Sequence, residues 1–220
     1  MQDILDQLQS KTIARTVRKH SILLYQGEVP RSAYYLKKGV MKVYSINSVG
    51  AEQIVAFYTA GDLFPISWIF DKTTSTLYYY EAMTDCTVLA IDKKALREVL
   101  NSRPDMLAKV FDYVMTNYTS SLLRITSLEQ SRAGEKIMFT LYYLVFRYGR
   151  EIKPGIYSIQ MNLTHTVIAD MVGIARETTA VEMNKLKKAN VVQYNSKEYI
   201  VDRKKLERAM GEDTFNALQG

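Results

Sequence analysis

The chain has 220 residues, of which 47% are hydrophobic and 24% charged, and its formal net charge is +6 with an isoelectric point near 9.2. This composition excludes a disordered, collagen-like or purely coiled-coil chain. The longest uncharged runs, such as 63–70 and 113–123, fall short of the roughly 18 apolar residues that a membrane crossing needs, so we expect no membrane contact. The positive charge favours a polyanionic partner.

The N-terminal residues and the few metal-binding side chains narrow the possibilities further. The first residues, MQDILDQLQSK, lack the basic and apolar regions of an export signal, so we expect a cytoplasmic protein. Cys86 is the single cysteine, and His20 and His165 are the only histidines. They cannot assemble a disulfide, an iron–sulfur cluster, a haem site or a zinc site within one chain. We therefore expect no metal, no cofactor and no enzyme activity, and we expect Cys86 to be a small buried apolar residue.

Between residues 21 and 91, short apolar runs alternate with turn residues. The expected strands are 22–25, 33–36, 40–44, 53–58, 78–80 and 87–91. Short strands at this spacing indicate a β sandwich or barrel. The 16 tyrosines of the chain fit that interpretation, because aromatic rings pack well on a pleated surface.

Helical periodicity begins after Asp92, which is predicted to cap a short helix over 93–100. Pro104 and Asp105 are predicted to open a long helix, because proline and acidic residues are favoured in a first helical turn. Along it, apolar side chains recur at spacings of three and four: Leu107, Phe111, Val114, Tyr118, Leu122, Ile125 and Leu128. Such a stripe fits either packing against the same chain or pairing with a second copy.

The C-terminal part has a different pattern. Ser131 is predicted to cap a helix that Gly149 ends. A turn at 153–155, a strand at 156–159, two short helices and a hairpin at 194–199 are expected to follow. We place the boundary between the β part and this part near residues 129–134.

The most informative segment is 163–180. Thr164 can cap one helix, Gly173 stands where the chain must turn, and a second helix begins near Arg176. Small Ala169 permits the two helices to approach closely. This spacing predicts a helix-turn-helix, whose second helix fits the major groove of B-DNA. The alternative is an ordinary helical hairpin, but the hairpin at 194–199 would supply a wing and favours the DNA-binding interpretation.

The side chains of this segment suit DNA contact. Arginine binds guanine through two hydrogen bonds, and glutamate accepts from the cytosine amino group. The expected contacts with bases are Arg176, Glu177 and Val181, and Thr178 and Ala180 are expected to contact the DNA beside them. Contacts with phosphates, which set register, are expected from Thr164, His165, Thr166 and Lys197 and from the backbone amides of Asn195 and Ser196.

Three stretches resemble the family of the cyclic-AMP receptor and the fumarate–nitrate reduction regulator: 24–28 with 33–43, 60–64, and 173–178. The resemblance covers nearly the whole chain. It implies an α+β fold with an N-terminal antiparallel β-roll, a jelly roll like that of cyclic-nucleotide-binding domains, over 1–103. A dimerisation helix and hinge would follow over 104–131, and a winged helix-turn-helix over 132–220. A homodimer on a palindromic DNA site, with RNA polymerase as a further partner, is thereby implied, and the long-helix stripe would pair with itself.

Departures from the family pattern concern the effector. Family members that bind a cyclic nucleotide hold its phosphate with a Gly-Glu-Leu turn and an Arg-Ser pair; here those positions read Pro65-Ile66-Ser67 and Thr76-Leu77. Without an arginine the phosphate loses its charge-assisted hydrogen bonds, so we expect no binding of cyclic AMP or cyclic GMP.

The same region of the sequence leaves two alternatives for another effector. The residues left at the sensor position are Pro65, Ser67, Trp68, Tyr78, Tyr80, Tyr118 and Ser121. They could line a pocket for a neutral or weakly polar small molecule of unknown identity, or their rings could fill a core without a ligand.

Two further departures concern the second helix of the helix-turn-helix. Val181 stands where many relatives carry a second arginine, and its contact is expected to be with a thymine methyl group. Ala175 stands where serine or threonine commonly caps this helix, which costs about 1 kcal/mol of helix stability.

Two other functional classes compete with the regulator. One is a small-molecule sensor whose C-terminal unit contacts protein instead of DNA. The other is an enzyme of the metal-containing β-barrel kind, which the presence of His20 alone in the β part nearly excludes.

Overall fold

The computed structural model describes residues 2–8 and 11–211. They form two compact units, which divide after Tyr113. Both units combine helices with antiparallel sheets, which confirms the predicted α+β class. Among the described residues, no helix combines the length and the apolar character that a membrane crossing demands.

The first unit contains eight strands among its described residues. They are β1 Thr12–Val17, β2 Ile22–Leu24, β3 Ala33–Lys38, β4 Met41–Ile46, β5 Glu52–Tyr58, β6 Leu63–Phe64, β7 Tyr79–Ala82 and β8 Cys86–Ile91. The helices are α1 Gln2–Gln7, α2 Ile66–Ile69 and α3 Lys93–Ser102, and α4 Pro104–Glu129 begins in this unit and continues into the second.

Two antiparallel sheets enclose the core of the first unit. Their strand orders are β1-β8-β3-β6 and β2-β7-β4-β5. Both contribute buried side chains to one hydrophobic cluster, which includes Leu24, Leu36, Met41, Val43, Phe64, Tyr80, Cys86 and Val88. This is the antiparallel β architecture that the sequence predicted. The burial of Cys86 is confirmed, and desolvation raises the pKa of its thiol.

Gly39 shows why one turn of the β fold needs glycine. Its φ is +100°, and an added Cβ would lie 2.6 Å from the Cys86 Sγ. No larger residue fits there without moving β8, so both backbone conformation and space require glycine.

Four elements of this unit were not predicted: α1, β1, β6 and α2. Four of the six residues of β1 are exposed, so the strand lacks an alternating apolar pattern. It is held by its register with β8, from Thr12 opposite Ile91 to Val17 opposite Cys86. Backbone pairing of this kind leaves little trace in a sequence.

The Asp92 cap of α3 is confirmed, because the Asp92 carboxylate accepts from the Ala95 amide at 2.8 Å. The long helix α4 begins at Pro104, as predicted. In its first half, the Tyr113 hydroxyl donates to Asp62 Oδ1 at 3.1 Å. This bond fastens α4 to the turn between β5 and β6.

The predicted apolar stripe of α4 faces outward. Val114 is half-buried, and the other six members are between 43% and 62% exposed: Leu107, Phe111, Tyr118, Leu122, Ile125 and Leu128. A different face is buried, at Met106, Val110, Ser120, Arg124 and Ser127. The stripe is therefore not covered by the described part of its own chain.

The second unit contains the remaining elements. They are α5 Ala133–Tyr148, β9 Arg150–Lys153, β10 Ile156–Ile159, α6 His165–Val172, α7 Arg176–Lys188, β11 Val192–Tyr194, β12 Tyr199–Asp202 and α8 Arg203–Met210. The four strands form an antiparallel sheet in the order β11-β12-β10-β9.

One expectation for this unit was wrong, and one of its helices was not predicted. The residue that precedes α5 is Arg132, without a side-chain cap bond, so Ser131 is not the cap. Helix α8 follows the hairpin and was not predicted; the Asp202 carboxylate caps it by accepting from the Lys205 amide. The end of α5 at Gly149 is confirmed, since the Gly149 amide donates to the Val145 carbonyl at 2.9 Å.

Candidate nucleic-acid interface

Helix α6 and the turn after it follow from two local signals. The Thr164 hydroxyl accepts from the Val167 amide at 3.2 Å and so caps the helix, as predicted. Gly173 ends the helix with φ +70° and ψ 38°, and its amide donates to the Ala169 carbonyl at 2.8 Å. An added Cβ at Gly173 would meet nothing within 4 Å. The glycine is therefore needed for its left-handed backbone conformation alone.

Helix α7 packs through one face. Thr179, Met183 and Leu186 are buried, and their spacing of four and three places them on one side of the helix. Ala175 precedes the helix without a side-chain cap bond, as its side chain predicts. The Thr179 hydroxyl donates to the Ala175 carbonyl at 3.1 Å, which ties the uncapped start to the buried face.

The opposite side of α7 is open. The side chains of Arg176 and Glu177 are 63% and 79% exposed, with 3.8 Å between Arg176 Nη1 and Glu177 Oε1. Thr178 and Val181 are exposed, and Ala180 is half-buried. The residues of α7 that were predicted to contact DNA thus line the start and the outer face of one helix.

The hairpin between β11 and β12 is a tight turn that Asn195 organises. Asn195 Oδ1 accepts from the amides of Lys197 at 2.8 Å and Glu198 at 3.0 Å, and the Asn195 amide donates to the Glu198 carbonyl. Ser196 and Lys197 are exposed at its tip. The backbone amide of Asn195, which was expected to face a phosphate, is thus used inside the turn.

Tyr194 joins this wing to both helices, a role that the sequence did not reveal. His165 Nε2 lies 3.2 Å from the Tyr194 hydroxyl, and the same hydroxyl lies 3.5 Å from Asn184 Oδ1. The Lys187 ammonium lies 4.9 Å from the centre of the Tyr194 ring, and the ring of Tyr199 stacks on the same ring at 5.0 Å.

The imidazole of His165 takes up a proton less readily than that of an exposed histidine. Burial, and to a lesser degree the positive charge of Arg176, lower the pKa of its imidazole. The ring packs edge-on against Tyr194 at 5.5 Å. His165 therefore lies at the point where α6, α7 and the wing meet.

The end of α7 adds a cluster of positive charge that was also not predicted as part of the site. Lys185, Lys187 and Lys188 occupy its last turn, and the Lys185 ammonium pairs with Glu182 Oε1 at 2.7 Å. Cations at a helix C-terminus complement the helix dipole. A run of lysines after an amphipathic stripe is the signal that could have indicated them.

The candidate effector residues do not lie in one environment. The Tyr80 ring stacks on Phe64 at 5.4 Å and on Tyr58 at 6.0 Å within the core between the sheets. Pro65 and Trp68 are buried, and the Lys93 ammonium lies 4.3 Å from the centre of the Trp68 ring.

The other candidates are more open: Tyr78 is half-buried, and Ser67, Tyr118 and Ser121 are exposed. Tyr118 and Ser121 also belong to the second unit. Within residues 2–8 and 11–211, no three His, Cys, Asp or Glu side chains are placed to hold a metal ion.

Comparisons with known proteins agree with this architecture. A model of the cyclic nucleotide-binding domain matches residues 14–103, and a model of the Crp-like helix-turn-helix domain matches residues 135–209. Among curated relatives, the cAMP-activated global transcriptional regulator CRP of Haemophilus influenzae is 25% identical, covering 82% of this chain and 80% of its own. The HTH-type transcriptional regulator ArcR of Staphylococcus haemolyticus is 25% identical over 90% of this chain and 86% of its own.

Solved structures share the fold. A CooA mutant from Carboxydothermus hydrogenoformans aligns with a TM-score of 0.76 at 21% identity, covering 94% of each chain. FixK2 from Bradyrhizobium japonicum aligns with a TM-score of 0.74 at 18% identity, covering 90% of this chain and 96% of its own. Together the matches define a transcription regulator with a cyclic nucleotide-binding fold and a helix-turn-helix DNA-binding domain. The chain belongs to the Crp/Fnr family of these regulators.

Proposed function

We propose that this regulator binds a palindromic DNA site as a homodimer and does so without cyclic AMP, haem or an iron–sulfur cluster. The observation that carries the proposal is the two-sided character of α7, which is buried at Thr179, Met183 and Leu186 and open at Arg176, Glu177 and Val181. A helix with one packed side and one exposed side bearing hydrogen-bonding groups suits entry into the major groove. Residues 1–103, 104–131 and 132–220 would serve sensing, pairing and DNA binding.

Base recognition is assigned to the exposed face of α7. Arg176 would bind a guanine through O6 and N7, and Glu177 would accept from a cytosine amino group. Val181 would contact a thymine methyl group, with Thr178 and Ala180 adding shape. This helix would make fewer hydrogen bonds to bases than a helix with a second arginine. Its operator should therefore differ in sequence from the operators of relatives that carry that arginine.

Phosphate contacts are assigned to the two ends of the interface. They would come from Thr164, His165 and Thr166 at the start of α6 and from Ser196 and Lys197 at the wing. The amide and Oδ1 of Asn195 are already bonded within the turn. Since each neutralised phosphate releases condensed counterions, affinity should fall steeply as salt is raised.

Pairing is assigned to the exposed stripe of α4. Six large apolar side chains along one helix are open to solvent in the single chain, and contiguous exposed apolar surface of this kind marks an interaction site. Their spacing of three and four is that of a coiled-coil seam. A second copy would cover the stripe through the same residues, and two-fold symmetry would then impose an inverted repeat on the DNA.

Independence from cyclic nucleotides is supported by what occupies the sensor core. Thr76, at one position where relatives hold the phosphate, is 3% exposed. Its hydroxyl donates to the Tyr25 carbonyl at 2.5 Å, so it is used inside the fold. The Tyr58, Phe64 and Tyr80 rings stack between the sheets at 4.9 to 6.0 Å. Calorimetry should therefore detect no heat of binding with cyclic AMP or cyclic GMP, and micromolar affinity for either would contradict this part.

Selection from random-sequence duplexes tests the function as a whole. We expect enrichment of an inverted repeat whose half-sites lie about 10 base pairs apart, with affinity that falls as salt rises. No enrichment at low salt would refute the proposal and favour a protein partner for the C-terminal unit. Contact with RNA polymerase, which the family membership suggests, would be tested afterwards by transcription from a promoter that carries the selected site.

A further inference from the structure

A buried arginine lies where the long helix meets the DNA-binding elements. Arg124 is 7% exposed and belongs to the second half of α4. One of its guanidinium nitrogens donates to the Met171 carbonyl in α6, and another donates to the Ser127 hydroxyl at 3.1 Å. The centre of the guanidinium lies 5.9 Å from that of the Tyr143 ring, on α5. Three helices of the second unit thus converge on one side chain.

The Met171 carbonyl is a chemically suitable partner for this charge. It is one of the last four carbonyls of α6, which have no amide partner within the helix. The helix dipole makes this end negative, so a cation placed there is stabilised. Two residues further on, Gly173 makes the turn that leads into α7. The bond therefore holds the chain just before the turn of the helix-turn-helix.

The guanidinium group also explains why a lysine would not be equivalent. Its planar fork donates to two acceptors at once, whereas an ammonium group is a single point charge. Ser127 is completely buried, and its hydroxyl donates to the Arg124 carbonyl at 2.7 Å. Arg124 and Ser127 thus orient each other on consecutive turns of α4. The bonds to Met171 and Ser127 offset part of the cost of burying this charge, so moving α6 away from α4 would be resisted.

Arg124 lies next to the exposed apolar stripe of α4, so its bonds to Met171 and Ser127 are adjacent to the pairing surface. Ile125, the next residue, is 51% exposed and belongs to the apolar stripe. Successive residues of a helix point about 100° apart, so the helix presents one face to the DNA-binding elements and an adjacent one to solvent. We propose that Arg124 is a positioning residue that fixes the helix-turn-helix on α4 and thereby sets the half-site spacing that the regulator accepts.

This proposal rests on the proposed homodimer with its palindromic operator, and half-site spacing is the property that isolates it. In a symmetric dimer the separation of the two α7 helices depends on how each is held on the paired α4 helices. A looser connection should leave the base preference of each half-site unchanged and broaden the range of spacings tolerated. A variant that merely destabilised the fold would lower affinity for all spacings alike.

The experiment compares wild type with Arg124→Met on selected operators whose spacer is shortened or lengthened one base pair at a time. Methionine keeps an unbranched stem and removes the charge and the donors. We expect the affinity ratio between the best spacer and its neighbours to fall by about 2- to 30-fold, the range for residues that modulate coupling between sites. Arg208→Met removes the same charge from an exposed position on α8 and should keep the wild-type profile.

The other outcomes distinguish a failure of the Arg124 role from a failure of the homodimeric function. A sharp wild-type profile that Arg124→Met leaves unchanged would overturn the role of Arg124, and so would equal broadening in Arg208→Met. A wild type that selects no inverted repeat would instead refute the homodimeric function. If Arg124→Met shows no cooperative unfolding transition, Ser127→Ala and Arg124→Lys take its place. Each removes one part of the bonding, and each should broaden the profile in the same direction.

Discussion

Phe111 offers the sharpest test of pairing, because it is the most exposed member of the α4 stripe at 62%. We expect Phe111→Ala to convert a stable dimer into a chain that is largely monomeric at the same concentration. The variant should keep its fold, because a side chain that is mostly exposed in the single chain contributes little to its core.

The size of the effect follows from the exposed area. A phenylalanine side chain buries about 150–250 Å², so the exposed part of Phe111 amounts to about 90–150 Å² in each copy. Covering that area at about 25 cal/mol per Å² contributes about 2–4 kcal/mol per copy. Two copies lose their rings at once and alanine retains part of the contact, so we expect a loss of about 4 kcal/mol, or about a thousand-fold in the dissociation constant.

Sedimentation equilibrium across a concentration series measures that constant directly. Ile13→Ala is the matched control, because Ile13 is 64% exposed but lies on β1, and it should sediment like wild type. A Phe111→Ala chain that dimerises as tightly as wild type would show that the stripe does not form the dimer contact. A wild-type chain that is monomeric at every concentration tested would refute pairing itself.

Three further predictions address the interface itself. Arg176→Ala should cost about 1–3 kcal/mol of operator affinity and relax the preference at one base pair in each half-site, measured on base-substituted operators; an unchanged preference would remove Arg176 from base reading. Gly173→Ala should destabilise the fold by about 1 kcal/mol in urea unfolding because its φ is +70°. Gly134→Ala, in α5 and without positive φ, should not, and equal losses would contradict the backbone explanation. The pKa of His165 is lowered in the folded chain, so the unfolded state binds the proton more readily. The stabilising contribution of His165 is therefore complete above the usual pKa of 6.5 and is lost as the pH falls through the pKa of the folded state. The gap in unfolding free energy between wild type and His165→Gln should therefore narrow on acidification, and a constant gap would contradict it.

Signals that act over a single helical turn could be predicted from the sequence. The caps at Asp92 and Thr164 join a side chain to an amide three residues later, so the residue type and its place before an apolar stripe are sufficient. The turn at Gly173 was predictable for the same reason. The start of α5 was not predicted correctly. The helix begins one residue later than a cap at Ser131 would require, and propensity alone does not fix a helix boundary to one residue.

Contacts between distant residues could not be predicted. The Tyr194 hydroxyl meets His165 across 29 residues, and Arg124 meets Met171 across 47. Both pairs are brought together only by tertiary packing. Strand β9 escaped detection for a different reason: all four of its residues are exposed, so it has no apolar face to reveal it.

Protection of guanine N7 in the selected operator shows whether paired α7 helices read the site, because N7 lies in the major groove. We expect two protected patches on one face of the duplex, about 10 base pairs apart. Arg176→Ala should lose protection at one guanine in each patch. A single patch, or DNA binding that leaves every major-groove guanine reactive, would contradict the claim that paired α7 helices read the site.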